Sequence, residues 1–322
     1  MARQGGNLEN MNAPRPSAAS SQTRAVAALA AAGVAWGTSV PLSKESLAWL
    51  PPGWLVVARF ALAAAVLLGV VDRAALRRAL RGPVLAWGAA GYGGSVLVQN
   101  AGLARTSVTH ASLLIGTGPV LVAVIAAAWR HKVARPVAWA GFAVSLGGVA
   151  LVASGPGGGA GGTGDVLVVV SVMIVATMTV AQGRLLEGQD PAAVTAVQFL
   201  GAALVALPAA ACTEGLPPAP HASGAGVLAI AAVAGLTLIG TVAPFTLFAY
   251  GQRQVTTEVA GAFLNLEPLV GAVVGVLAFG DPAGPRLLIG GAAILGGILL
   301  SSVPALRHGG PAGPHLAEAL GT

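Results

Sequence analysis

Charge is scarce in this chain: Asp, Glu, Lys and Arg together make up 9% of its 322 residues, against about 25% in soluble domains. That is too little to cover the surface of a soluble enzyme core. The single cysteine, Cys212, excludes an intramolecular disulfide and a thiolate metal cluster. Five scattered histidines, none in a His-Glu-x-x-His pattern, provide no zinc site. The run Gly155–Gly164 is glycine-rich but lacks the Gly-Lys-Ser/Thr ending of a phosphate loop. No serine-triad or dinucleotide signature is present either, so neither an enzyme, a cofactor nor ATP hydrolysis is expected. The net charge of +6 is no nucleic-acid footprint, because the basic residues sit mainly in short connections between apolar stretches.

Those stretches dominate. Apolar residues make up 55% of the chain, the mean hydropathy is +0.80, and runs of about 20 residues recur, each able to cross roughly 30 Å of hydrocarbon. Ten spans can be placed, at 25–44, 53–71, 83–103, 107–128, 135–154, 165–184, 191–211, 224–250, 256–279 and 284–303. Breaks at Pro51-Pro52-Gly53, Arg81-Gly82-Pro83, Arg135-Pro136, Asp190-Pro191, Pro217-Pro218 and Asp281-Pro282 separate them. Residues 1–24 read as a disordered tail, 155–164 as a flexible linker, and 304–322 as a second tail.

The chain also repeats itself. Gly102 through Gly118-Pro119 returns as Gly251 through Glu267-Pro268, an offset of 149 residues that also pairs Gly141 with Gly290 and Gly147-Gly148 with Gly296-Gly297. The offset matches span four to span nine and span five to span ten. Each unit, 25–154 and 165–303, therefore holds five spans, and an odd number inverts the second copy in the bilayer. With a cytoplasmic amino terminus, thirteen Lys and Arg fall on the inner side and only Lys44, Arg105 and Arg286 on the outer side, with Arg59 inside a span. The positive-inside rule thus predicts both termini in the cytoplasm and a multi-pass protein of the cell (inner or plasma) membrane. Arg130-His131-Lys132 on the inner side becomes Phe279-Gly280-Asp281 on the outer side, as inversion requires.

Particular residues carry a family resemblance: Trp36-Gly37-Thr38-Ser39, the segment from Ala104 through Thr106, Ser107, Ala111, Ser112 and Leu113 to Pro119, its counterpart from Phe248 and Tyr250 to Leu266-Glu267-Pro268, and the glycine-rich stretch Gly290–Ser301. Together they resemble the EamA-like branch of the drug/metabolite transporter superfamily, over residues 25 to 303. Two departures stand out: span four ends in Arg130-His131-Lys132 where the family usually has Gly-Glu, and span nine ends in Asp281. The resemblance implies an all-α integral membrane protein of ten helices in two inverted repeats. It further implies that the first four spans of each unit surround a central cavity, with spans five and ten peripheral and free for homodimer contacts. Implied substrates are amino acids, nucleotide-related metabolites or toxic compounds.

A polar side chain in hydrocarbon must face protein, a partner or water, so mid-span polar residues are the site candidates. Glu267, beside Pro268 and two residues after Asn265, can accept a proton, pair with a cationic substrate group, or satisfy local donors. Pro119 follows Gly118 instead of an acid, with Gly116 nearby, and marks a bend or cavity wall. Tyr92, Gln99 and Asn100 in span three, with Tyr250 near the matching position of span eight, either line a path or pack at helix interfaces. Trp36 offers an aromatic wall or core filling. Arg59 either snorkels outward, pairs internally as part of a gate with Glu45 or Asp281, or attracts an anion. His110, at the edge of span four, reads as interfacial. The combined reading is a secondary transporter for a small organic metabolite, amino-acid-like or amphiphilic, working by alternating access, with a proton as a possible coupled partner beside substrate and bilayer. Its rivals are a non-transporting scaffold or sensor, with a collapsed apolar interior, and a membrane-embedded enzyme, which would need converging acids or histidines.

Overall fold

The computed structural model describes residues 18–130, 136–154, 162–186, 188–219, 224–252, 263 and 266–306. All regular structure among them is helical. The first half comprises α1 (Ala18–Gly37), α2 (Ser39–Ser46), α3 (Pro52–Val70), α4 (Arg73–Ala79), α5 (Gly82–Trp87), a π-helical segment Gly88–Gly94, α6 (Ser95–Leu103), α7 (Val108–Ile115), α8 (Gly118–Arg130) and α9 (Pro136–Ala153). The second comprises α10 (Thr163–Leu186), α11 (Pro191–Glu214), α12 (Gly224–Thr237), a π-helical segment Leu238–Val242, α13 (Ala243–Gln252), α14 (Leu266–Phe279) and α15 (Pro285–Leu306). Four helical stretches are long and apolar enough to cross a membrane: Thr23–Ser46, Pro52–Val70, Pro191–Glu214 and Gly226–Phe248. Shorter apolar helices cover the expected spans four, five, six, nine and ten. For span nine, positions 256–265 lie outside the described residues except Phe263.

Helix starts follow local chemistry. Pro52, Pro136, Pro191 and Pro285 each open a helix, where a missing N–H costs nothing and the fixed φ already suits the first turn. Asp190 caps α11 by accepting from Ala193 N at 2.9 Å, and Asp72 caps α4. The start of α3 is capped from far along the chain: the Glu214 carboxylate accepts from Gly53 N at 2.9 Å and Trp54 N at 3.1 Å. At the other end of α14, Gly280 adopts φ 66°, a left-handed conformation that lets the chain turn out of the helix.

Spans one, three, four and eight are not the uninterrupted helices that hydropathy alone predicts. Span one is interrupted at Thr38, whose N–H is shared between the Val34 and Ala35 carbonyls. Span four divides at Gly116-Thr117, just before Pro119, where proline removes a helical donor and crowds the preceding turn. Spans three and eight each contain a π-helical segment, Gly88–Gly94 and Leu238–Val242. The 149-residue offset carries the first onto the second, so both copies widen at the same point.

Close helix approach is built on small residues. A Cβ on Gly88 would run into the Gln198 backbone, and one on Gly201 would meet the Leu85 carbonyl, so α11 lies almost backbone to backbone with α5 and the first π segment. The α9–α15 contact is reciprocal. A Cβ on Gly148 would lie 2.6 Å from the Gly290 carbonyl, and one on Gly297 would lie 2.5 Å from the Gly141 carbonyl. Gly148 and Gly297 are repeat equivalents, as are Gly141 and Gly290. Each helix therefore offers the other the same surface, as across a two-fold axis.

Candidate functional site

The helix interruptions converge on a central cavity of about 480 Å³, within the usual range for small-molecule sites. Its wall draws on both copies: Trp36 and Ser39 near the α1–α2 break, Arg59 and Phe60 of α3, Tyr92 of the first π segment, Gly116 and Gly118 around the α7–α8 break, Phe245 of α13 and Glu267 of α14. At Gly116 the break before Pro119 meets Pro268 of α14, since a Cβ there would lie 2.6 Å from the Pro268 ring. Repeat equivalents both border the space: Val96 corresponds to Phe245, and Gly118 to Glu267.

Most of the wall is aromatic or aliphatic. The Trp36 ring meets Phe245 edge-on, with centroids 5.3 Å apart, and lies 5.3 Å from Phe248. Tyr92 packs against Phe199 at 5.4 Å and Phe245 at 6.0 Å. Edge-to-face rings of this kind hold one another in fixed orientations. Two charges stand in this apolar setting. Arg59 is buried, with Nε donating to Thr241 Oγ1 at 2.8 Å, Nη2 to the Gly240 carbonyl at 3.4 Å, and its guanidinium carbon 5.4 Å from the Phe60 ring centre. The Glu267 carboxylate accepts no hydrogen bond from the described residues. It interacts with Arg59 electrostatically rather than as a contact ion pair. Among the described residues the carboxylate accepts no hydrogen bond, and the guanidinium has two of its five N–H groups engaged.

Of the residues singled out from the sequence, Trp36, Tyr92, Gln99, Arg59 and Glu267 line this one space. That is not the collapsed apolar interior expected of a scaffold. Pro268 is buried behind Gly116. Pro119 takes the second position of α8, and its side chain lies outside the described set, as does all of Asn265. Two of the candidates lie apart from this wall. Asn100 is turned away from the cavity, is buried, and donates to the Pro52 carbonyl at 3.4 Å. Tyr250 is 46% exposed and outside the wall. In α6 the neighbour of Asn100, Gln99, about 100° around the helix, lines the wall instead, and in α13 Phe245 does so, with Phe248 packed against Trp36. Arg59 reaches neither Glu45 nor the bulk interface. Sequence reasoning missed Phe60 and Phe245 in the wall and Thr241 as the Arg59 partner. Projecting the 149-residue offset from Tyr92 would have located Thr241.

A second polar cluster lies at the end of the bundle that contains the α6–α7 and α14–α15 connections. His110, expected at an interface, is fully enclosed, with Nδ1 2.9 Å from Asp165 Oδ2. Thr106 Oγ1 donates to Asp165 Oδ1. Lys44 Nζ donates to the Leu103 carbonyl at 2.6 Å and the Thr106 carbonyl at 2.8 Å, and Asp281 accepts from Thr109 N at 2.7 Å. Among the described residues no group of His, Cys, Asp and Glu is arranged to hold a metal.

Comparison with known proteins fits this architecture. The model of the EamA-like transporter family matches twice, over residues 23–154 and 162–303. A probable terminal-alkyne amino-acid exporter of Streptantibioticus cattleyicolor is 26% identical over 86% of this chain and 93% of its own. An uncharacterized transporter of Archaeoglobus fulgidus is 40% identical over 67 residues, a match spanning 21% of this chain and 25% of that protein. One crystal structure superposes with a TM-score of 0.63 at 22% identity, covering 88% of this chain and 98% of its own, which supports the fold. With the family model matched over both halves of a helical, apolar chain, this protein belongs to the EamA-like transporter family and is a membrane transporter rather than an enzyme.

Proposed function

We propose that this protein is a secondary transporter that exports a small organic metabolite, amino-acid-like and amphiphilic, by alternating access. The observation that carries this reading is one guanidinium and one carboxylate, the latter accepting no hydrogen bond from the described residues, in a cavity walled mainly by aromatic and aliphatic side chains. A zwitterion with an apolar side chain satisfies all three surfaces: its carboxylate meets Arg59, its ammonium meets Glu267, and its side chain lies against Trp36, Tyr92 and Phe245. The exporter named among the relatives handles an amino acid, which favours the same class and direction here. The two five-helix repeats, 25–154 and 165–303, joined by the linker 155–164, rock about the meeting of Gly116 with Pro268 and open the cavity to one side at a time. Both termini lie in the cytoplasm of a cell whose plasma membrane holds the protein, and the outward faces of α9 and α15 are available to a second copy.

Flux from loaded proteoliposomes tests the reading. A zwitterionic amino acid with an apolar side chain is expected to leave at least ten times faster than its amide or its deaminated acid. Equal rates for all three would sink the substrate class. The proton partner is assigned to Glu267, the carboxylate in the cavity wall. Glu267→Gln is expected to abolish the response of flux to an imposed pH gradient, and an unchanged response would remove the proton from the mechanism.

A further inference from the structure

In the second polar cluster, Thr106 and His110 have no polar equivalents at the 149-residue offset. Where α10 crosses α6, Gly102 and Gly164 bring the backbones together: a Cβ on Gly102 would lie 2.7 Å from the Gly164 carbonyl. That approach places Asp165 within reach of Thr106 and His110, residues of the other repeat. In the second copy, α13 packs on α1 in the corresponding way, through Gly251 against Leu29 and the Ala25 carbonyl. There the offset replaces Thr106 with Val255 and His110 with Val259. Thr106 and His110 therefore have apolar equivalents, and the tie described here lies at one end of the molecule. In the orientation set by the positive-inside rule it is the outer end.

We propose that Asp165, His110 and Thr106 form an outer latch that holds the transport path closed towards the outside. The assignment rests on the alternating-access reading above. The latch spans the two halves that must part, and it lies about two helical turns, or roughly 10 Å, along α10 from the cavity residue Val172. Asp281, of the second repeat, bonds Thr109 of the first beside it. Lys44 secures the end of α6 from within the first repeat. Further charged groups on or beside the packed elements include Glu45, Arg105, Arg286 and, deeper, Glu267, with Arg130 and Arg184 at the far ends of α8 and α10. The closed latch is also built to release: His110 Nε2 is enclosed and makes no hydrogen bond among the described residues, and water satisfies it once α7 and α10 separate.

The test needs no substrate. Cys212, the single native cysteine, is replaced by serine, and Ile115→Cys places a reporter in the cavity wall inward of the latch. Labelling by a membrane-impermeant maleimide is then timed in right-side-out and in inside-out vesicles. Asp165→Asn and Thr106→Val are each expected to speed labelling from the outside about tenfold, with labelling from the inside unchanged or slower. An outside-to-inside ratio within twofold of the parent in both variants overturns the latch. So does an equal rise on both sides, which is a general loosening of the fold. If Asp165→Asn does not fold, Thr106→Val, which removes one hydroxyl and keeps the packing, decides alone. Flux by the parent protein is scored separately, so a failed latch and a failed transport reading give different results.

Discussion

Arg59→Met is expected to lower flux of a zwitterionic substrate about a hundredfold. Hydrogen bonds from a charged donor each contribute about 1.5–3 kcal/mol, and a loss of roughly 3 kcal/mol is about two powers of ten in binding. Methionine keeps much of the apolar stem against Phe60 but cannot hold a carboxylate. The deaminated acid should lose as much as the zwitterion, whereas the amide should hardly notice the change. Arg59→Lys should recover only part of the flux, because a point ammonium lacks the planar fork that engages two oxygens at once. Initial rates in proteoliposomes, normalised to folded protein by gel filtration, measure this. Flux within threefold of the parent would mean that Arg59 holds Thr241 and the helices, not the substrate.

Gly148→Val and Gly297→Val are expected to destabilise the protein by about 3 kcal/mol each, the upper range for forcing bulk into a packed interface. At roughly 2–4 °C per kcal/mol for a large domain, each should lower the melting midpoint by about 10 °C. In both cases the new side chain meets backbone, which cannot yield cheaply: Gly290 O and Ile294 N at 2.6 and 2.8 Å for Gly148, Gly141 O and Ser145 N at 2.5 and 2.6 Å for Gly297. Thermal unfolding in detergent checks it. The sharper demand is that the two effects match, because the contacts are reciprocal. One variant melting with the parent while the other does not would show that α9 and α15 are unequal partners.

The charged site residues were legible because a charge inside an apolar span has few places to go. Arg59 and Glu267 could be picked out without knowing any contact. Rotation about each helix axis was not legible. These spans are apolar on almost every side, so no polar stripe fixes their phase, and Gln99 and Asn100 are indistinguishable until the helix is set against its neighbours. The repeat was legible through its small residues and prolines, which recur at a fixed offset. The paired π-helical segments were not, since one is rich in glycine and the other contains only Gly240. The Asp165–His110 pair joins residues 55 positions apart from different repeats, each near a span edge where an interfacial reading is sufficient. Only the glycine contact between α6 and α10 encloses them.

The glycine doublets of α9 and α15 divide their duties in a way that bears on how the sequence can drift. The second member of each, Gly148 or Gly297, lies against the backbone of the opposite helix, whereas a side chain starting at Gly147 or Gly296 would meet nothing within 4 Å. Two adjacent, identical letters therefore live under opposite constraints. Within the chain nothing blocks a side chain on the outward glycine, and alanine there gains about 1 kcal/mol of helix preference. Its neighbour is held in place by the symmetry of the fold, and a lineage that loses it in one repeat loses the match between the halves.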